Sequence, residues 1–490
     1  MLTVHQHWDP LKVCALGQTY PPEFYDRITN TTIRDYMKRI ATETQEDLEN
    51  VKDVLEGFGV EVIRTDLSSN PDDYATNENG VLDTPPMCPR NYTAMVGDTF
   101  YMPGDNKGVT YDVESVMQNI FADIYNGVSD DKTLAIAKLV EDGLDPENKV
   151  SPAESLTRLK AKLSVKDTGP NQRGKQGTRS YKYYYASGEN TPLMVRTDID
   201  AINAGLPDDG KRDVHRLNFY FDFKGAIDDL IAAGHTFPNS NKFYAFTTIK
   251  NYLESKNVPI KYDTFANASA MTRIGKDLFF SSMNLVNPHN RVSLGQKWVD
   301  LFPDYNVHQA DVRGFTDGAY TTIVPGLAIA LAGMEYAIPN AYEDLLPDWE
   351  IVIPQDTKDS WGAWDSLRRR GGQGEPGMFD WYKMKKRMRG DWWLNNPDND
   401  AAIIAMLERW FDFGVGYYEK NIIDWQFLSI DENNVLCNGT DSAVFQAFAR
   451  YNVKPHVVRF RHRAFWDGGL HSITSDLSRE GNQNTYFSWT

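Results

Sequence analysis

The feature that most constrains this chain is a short apolar run, then an amphipathic helix, then a second short run, and the return of that rhythm along the sequence. Val13-Cys14-Ala15-Leu16-Gly17 has the length and composition of a buried strand closed by glycine. Over residues 31–59, Ile33, Tyr36, Ile40, Leu48, Val51, Val54 and Leu55 recur mostly at spacings of three and four, until Gly57-Phe58-Gly59 stops the helix. Val60-Glu61-Val62-Ile63 then alternates as a strand. The helix-to-strand rhythm returns at Asp222 to Ala233, at Ser293 to Phe302 leading into Tyr305-Asn306-Val307, and at Ser442 to Ala449 leading into His456-Val457-Val458. Recurrence of pattern without identity of sequence predicts an α/β architecture of repeated strand-helix modules.

Composition narrows the function. Among 490 residues, 51 Lys and Arg stand against 68 Asp and Glu, a net charge of −17. A chain that acidic is a poor partner for nucleic acid, which needs a clustered cationic surface. Cys14, Cys88 and Cys437 are too few and too scattered for a disulfide framework, and no Cys/His cluster has zinc spacing, so neither a metal nor another cofactor is expected. The first residues lack the basic and apolar regions of a leader. The apolar stretch Ile323 to Leu331 is broken by Pro325-Gly326 and is too short to span a bilayer. The expectation is a soluble cytoplasmic protein with no membrane partner.

Two stretches break the rhythm. Residues 104–212 are polar and contain the loop-like Gly169-Pro170-Asn171-Gln172-Arg173-Gly174-Lys175-Gln176-Gly177. Residues 355–420 hold Arg368-Arg369-Arg370 and Lys383-Met384-Lys385-Lys386-Arg387-Met388-Arg389, the densest basic runs of an acidic chain. Such runs are either a solvated helix face or a contact with an acidic surface, for instance that of a second copy.

Five short motifs carry the remaining information. They are His7-Trp8-Asp9-Pro10 before the first strand, Pro89-Arg90-Asn91 before Val96-Gly97-Asp98, and Phe265-Ala266-Asn267 before Arg273-Ile274-Gly275. Asp304-Tyr305-Asn306-Val307-His308 is followed by Asp317-Gly318-Ala319, and the chain closes on Asp467-Gly468-Gly469-Leu470-His471-Ser472. In this order and relative spacing the set resembles the glycine (arginine:glycine) amidinotransferase family of guanidino-modifying enzymes. The resemblance implies one amidinotransferase-like domain over residues 1–490, a five-bladed pseudosymmetric α/β propeller with 104–212 and 355–420 as insertions. It also implies a homo-oligomer or protein partner.

The family's chemistry needs a cysteine thiolate to take the amidino group, a histidine to shuttle the proton, an acid to orient that histidine, and carboxylates to clamp the planar cation. At the positions the resemblance assigns, the nucleophile is Ser472, the histidine is Phe315, the orienting acid is Asn267 and a clamping acid is Asn91. Asp317, a substrate carboxylate in the family, and His471, the neighbour of the nucleophile, are kept, and Arg90 stands beside Asn91. Phe315 has no proton to shuttle, so no catalytic residue is expected. Adjacent residues on a strand point to opposite faces, which argues against a His471–Ser472 pair. Cys88, three residues before Asn91, is the one alternative nucleophile, against its plainer reading as a buried core cysteine.

Three readings stay open. The chain is a catalytically dead amidinotransferase-like protein retained as a binding or structural subunit, with 104–212 or 355–420 as contact surface. Alternatively it is an active arginine:glycine-type enzyme with a displaced catalytic set, or a guanidino-compound binder that still uses Asp317.

Overall fold

The computed structural model describes residues 2–65, 67, 85–102, 110–111, 123–144, 150–167, 182–186, 240–241, 246–262, 266–281, 298–299, 301–310, 316–330, 345–354, 397–412, 422–466 and 468–488. The expected helix at Asp222 to Ala233, the loop Gly169 to Gly177, both basic runs, Phe315 and Asp467 lie outside the described residues.

The fold is mixed α/β. Strand β1 (Leu11–Leu16) is followed by helix α1 (Thr31–Gly57) and β2 (Glu61–Arg64), the first module read from the sequence. A hairpin β3 (Ala94–Val96) and β4 (Thr99–Met102) follows. Between residues 104 and 241 lie β5 (Thr110–Tyr111), helices α2 (Asp131–Leu144) and α3 (Pro152–Lys162), then β6 (Leu163–Asp167), β7 (Lys182–Ala186) and β8 (Ser240–Asn241). Helix α4 (Thr247–Ser255) leads to β9 (Ile260–Tyr262), and β10 (Met271–Ile274) and β11 (Asp277–Ser281) to β12 (Asn306–Ala310). The short α5 (Thr316–Ala319) enters β13 (Tyr320–Val324), followed by β14 (Leu327–Ala330) and β15 (Glu350–Val352). Helix α6 (Pro397–Asp412) precedes β16 (Leu428–Asp431), β17 (Asn434–Cys437), α7 (Ser442–Arg450), β18 (Lys454–Val457) and the closing strand β19 (Thr474–Arg479).

Five three-stranded sheets repeat one topology, in the orders β19-β1-β2, β3-β4-β9, β10-β11-β12, β13-β14-β15 and β16-β17-β18. In each, the first two strands are antiparallel and the third runs parallel to the second. A parallel neighbour requires a crossover, and α1, α4 and α7 supply it in three of the sheets. The first sheet joins the two ends of the chain: Leu16 of β1 pairs with Thr474 of β19.

The helix-to-strand turns explain the rhythm physically. Gly59, Asn257 and Asn452 each follow their helix with φ of +79°, +57° and +57°. Each then lets the next valine donate back into the last turn: Val60 N–H to Leu55 O at 3.1 Å, Val258 to Leu253 at 3.0 Å, Val453 to Phe448 at 2.8 Å. Glycine and asparagine are the residues that tolerate this left-handed cap. Two other modules use a different entry, Phe302-Pro303-Asp304-Tyr305 and Leu346-Pro347-Asp348-Trp349, where the aromatic N–H donates to the first carbonyl at 3.1 and 3.2 Å.

The apolar face of α1 (Ile33, Ile40, Leu48, Val51, Leu55) packs on β1 and on the C-terminal segment through Trp466, Leu470 and Ile473. Helix α6 adds Ile403, Leu407, Trp410 and Phe411 to the same core, with Phe411 stacked on Tyr36 at 5.1 Å between ring centres. Among the described residues no helix is long and apolar enough to cross a membrane.

Candidate functional site

The residues singled out by the motifs share one position in the repeat. Each lies a few residues before the first strand of its sheet: Arg90 and Asn91 before β3, Asn267 before β10, Asp317 before β13, His471 and Ser472 before β19. The loops that enter these strands are tied to one another. Arg90 Nε donates to His471 O at 2.7 Å and Thr474 O at 2.8 Å. Ser269 Oγ donates to Asn91 Oδ1, and Asp317 N–H donates to Ser269 O at 3.2 Å. Thr321 Oγ1 donates to Trp425 O at 3.5 Å, and Ser472 Oγ donates to Gln426 Oε1 at 2.8 Å. Hydrogen bonds therefore chain all five entry loops together, and the long contact from Thr321 on strand β13 closes the circuit.

His471 and Ser472 lie in a turn, not on a strand. Ile473 N–H donates to Gly469 O at 3.0 Å and Thr474 N–H to His471 O at 3.3 Å. The expectation that their side chains point to opposite faces is thus corrected. A turn swings both inward, and both reach one oxygen: His471 Nδ1 is 3.2 Å and Ser472 Oγ 3.4 Å from Asp317 Oδ2. The Ser472 contact is long for an O–H donor, whose usual distance is 2.5–3.0 Å. Its proton goes to Gln426, whose side-chain oxygen also accepts Gly469 N–H at 2.8 Å. Gln426 further accepts His471 N–H on its backbone oxygen at 3.3 Å. The motif reading missed Gln426 and Ser269, although both sit two residues before an entry strand, in phase with Ser472.

Asn267 uses its side chain locally, accepting Ala270 N–H at 2.9 Å, a turn that a short amide or carboxylate makes equally well. Cys88 lies beside Ser472's loop. A methyl group added at Gly468 would sit 2.5 Å from Cys88 Sγ and 3.3 Å from Ser472 Cβ, so only glycine admits the thiol there. The thiol points at Trp466 O, 3.8 Å away, and is buried. That is the packing of a buried cysteine.

Behind the loops lies a wholly buried ion cluster. Asp476 of β19 receives Arg90 Nη2, Arg273 Nη2 at 3.0 Å and Arg479 Nε at 2.9 Å. Burial alone would raise Asp476, but the guanidinia of Arg479, Arg90 and Arg273 hold it well below the carboxylate range. Burial brings Arg273 down to about 10. The same cluster acts on the site. His471 is held well below its ordinary value by burial and then by Arg90 and His7; His7 likewise by burial and then by Arg273. Asp317 is pushed up to about 7 by burial, against the pull of Arg90.

A cavity opens beside this pair, lined by His7, Thr272, Asp317, Tyr320, Thr322 and His471 among others, with room for about one water molecule. Of the described motif residues only His7, Asp317 and His471 line it. Asn91, Asn267 and Ser472 sit around it, engaged with Ser269, Ala270 and Gln426. Among the described residues no group of His, Cys, Asp and Glu has the arrangement of a metal site.

No family model matches the chain, and no curated protein matches it. Solved structures that it resembles over its whole length include amidinotransferases. One is SxtG, an amidinotransferase from Microseira wollei in the saxitoxin biosynthetic pathway, at 13% identity and a TM-score of 0.44, covering 99% of each chain. Another is the inosamine-phosphate amidinotransferase StrB1 from Streptomyces griseus, at 14% identity and 0.43, again covering 99% of each. Agmatine deiminase of Enterococcus faecalis is similar over 49% of this chain and 64% of its own, at 11% identity and 0.29.

Proposed function

We propose that this chain is an amidinotransferase-like protein, five α/β blades around a pseudo-fivefold axis, that has lost amidino transfer and persists as a binding or structural subunit. The observation that carries the reading is Ser472. A hydroxyl stands where the resemblance puts the nucleophile, and its proton is held by the Gln426 amide rather than by a base. Acyl-transfer enzymes that lose their catalytic unit lose on the order of 10⁶ in rate. The amide at Asn91 replaces a clamping carboxylate worth about 1.5–3 kcal/mol in charge-assisted bonds, about one to two decades of affinity for a guanidinium cation. Asn267 replaces the acid that would orient the histidine.

Incubation with arginine and glycine is expected to give neither ornithine nor guanidinoacetate above a buffer control, and mass spectrometry no amidino adduct on Cys88. Combining Ser472→Cys, Phe315→His, Asn267→Asp and Asn91→Asp is expected to restore partial activity at best, because Gln426 holds the turn in its present shape. Turnover by the unmodified protein that Cys88→Ala abolishes would overturn the proposal in favour of an active enzyme with a displaced nucleophile. In the same reading the segment 104–212 or 355–420 carries a contact with a second copy or another acidic protein. Lys386→Glu with Arg389→Glu is expected to weaken that assembly, as is added salt. A protein monomeric at every salt concentration removes this part of the proposal.

A further inference from the structure

The cavity beside Asp317 is backed by an ion cluster of unusual composition, which does not itself line the wall. Arg90, Arg273 and Arg479 share Asp476 as their ion-pair partner among the described residues, so the cluster behind the cavity carries more positive than negative charge. Asp9 faces Arg479 from the other side, with its Oδ1 accepting Gln6 Nε2 at 2.7 Å. Arg90 Nη1 and Arg273 Nε are buried with no hydrogen-bond partner among the described residues. Buried N–H groups of cations are seldom left so, because the desolvated charge is costly unless something negative approaches it. On the cavity wall itself, Thr322 is 2% exposed and its hydroxyl has no partner among the described residues. His7 adds a second donor. Its Nε2 accepts Arg273 N–H at 3.3 Å, so the neutral ring carries its proton on Nδ1.

We propose that this cavity binds a monovalent anion of halide size, with the Thr322 hydroxyl and His7 as donors and the Arg90–Arg273 charge behind them. This rests on the reading that the pocket no longer holds a guanidinium cation, since the two occupants have opposite charge. The room for about one water excludes a larger oxyanion such as phosphate or a substituted carboxylate. Asp317 is the one acid on the wall. It is faced by His471 and Ser472 from the C-terminal turn, by Ser269 from the loop before β10, and by the charge of Arg90 from the loop before β3. An anion repels its carboxylate form, so binding draws a proton onto Asp317. Affinity therefore falls as pH rises through about 7, where burial has moved that carboxyl.

The test uses the full chain. Thermal unfolding is followed in sodium chloride against sodium gluconate at equal ionic strength, since gluconate is too large to enter, and crystals grown in bromide are measured for anomalous scattering. A bromide peak in the cavity and a higher Tm in chloride are expected. Thr322→Val, which keeps the shape of the side chain, is expected to weaken chloride roughly tenfold to a hundredfold, the worth of a hydrogen bond to a charged group. Asp317→Asn is expected to flatten the pH dependence of the chloride effect. Equal Tm in the two salts, or bromide peaks that avoid the cavity, overturns the proposal even if Thr322→Val does not fold. An arginine titration separates the two readings. Arginine that binds and displaces bromide sinks the loss of guanidinium binding, whereas no response to either ligand sinks the anion site alone.

Discussion

Two arginine–carboxylate networks hold distant parts of this molecule, and they are built in opposite proportions. In the centre, three guanidinia converge on one carboxylate, Asp476, with every member 2% exposed or less. On the outside of α1, one guanidinium, Arg461, meets three carboxylates. Its Nε reaches Asp47 at 2.9 Å and its Nη2 reaches Glu46 at 2.6 Å, while Nη1 lies 3.9 Å from Glu43. The carboxyls respond in opposite directions. Asp476 is held far down by its excess of cations, although burial opposes this. Asp47 is pushed up to about 6 by burial, although Arg461 donates to it from backbone and side chain. Pairing with arginine does not by itself fix a carboxyl's proton; the local balance of charges against desolvation does.

The sharpest way to break the comparison is Asp476→Asn. It removes the only ion-pair partner that the three buried arginines share among the described residues. Breaking a buried pair from one side costs about 3–5 kcal/mol because the stranded charge has nowhere to go. Arg90 also holds the His471 and Thr474 carbonyls, so the site loosens with the cluster. We expect little soluble protein, or a much lower Tm. A variant with unchanged Tm would mean that the cluster contributes nothing to holding the entry loops.

How much of this was legible beforehand depends on whether local or distant contacts decide. Helix 31–59 is read correctly to within two residues, because Gly59 and the apolar stripe are local facts. The strand of residues 13–17 falls on Leu11–Leu16 for the same reason. The last strand was not legible as such: Thr474–Arg479 alternates Thr, Asp and Ser with Ser, Leu and Arg, and all six are buried. Its polar residues tolerate burial only because Arg90, Arg273 and Thr93 arrive from elsewhere. The turn at His471–Ser472 escaped notice too, since Gln426, 46 positions away, is what fixes it. The motifs give the ends of the circuit, His471 and Asp317, but its closing member carries no motif chemistry. Only the phase of the repeat, two residues before an entry strand, points to Gln426.

The outer network breaks more gently. Arg461→Met removes the cation from the α1 acids but leaves Arg461's backbone role intact, since the N–H of position 461 still donates to Asp47 Oδ2. His462 also remains against Glu43 at 2.8 Å, with Trp410 Nε1 donating to its Nδ1 at 3.0 Å. The loss is about 1.5–3 kcal/mol, the scale of a hydrogen bond to a charged group rather than of a stranded buried ion. Thermal unfolding of the two variants in one buffer measures the contrast directly. If Arg461→Met destabilises as much as Asp476→Asn, proportion and burial are not what separate the networks.

The smallest effect is in the pH dependence, and its sign follows from the two carboxyls. Asp47 holds its proton in the folded chain up to about 6, whereas an unfolded carboxyl loses it near 4. Between those values the folded state binds more protons, so this group's contribution to stability falls as pH rises. Asp476 behaves in the reverse sense. Its contribution is complete above about 4 and is lost only as pH drops through its depressed folded value. His462, held low by burial, also removes stability as pH falls below its ordinary value, so the unmodified protein shows only the composite. The difference between Asp47→Asn and the unmodified chain isolates one group. Asparagine keeps an acceptor for the position 461 N–H but never ionises, so the variant is expected to be less stable at pH 5 and to close that gap by pH 7.5. Between pH 5 and 7.5 a carboxyl raised from about 4 to about 6 changes its contribution by about 1 kcal/mol. A gap that widens with pH would place Asp47 below its ordinary value, making the outer network a milder copy of the inner one and removing the opposition between them.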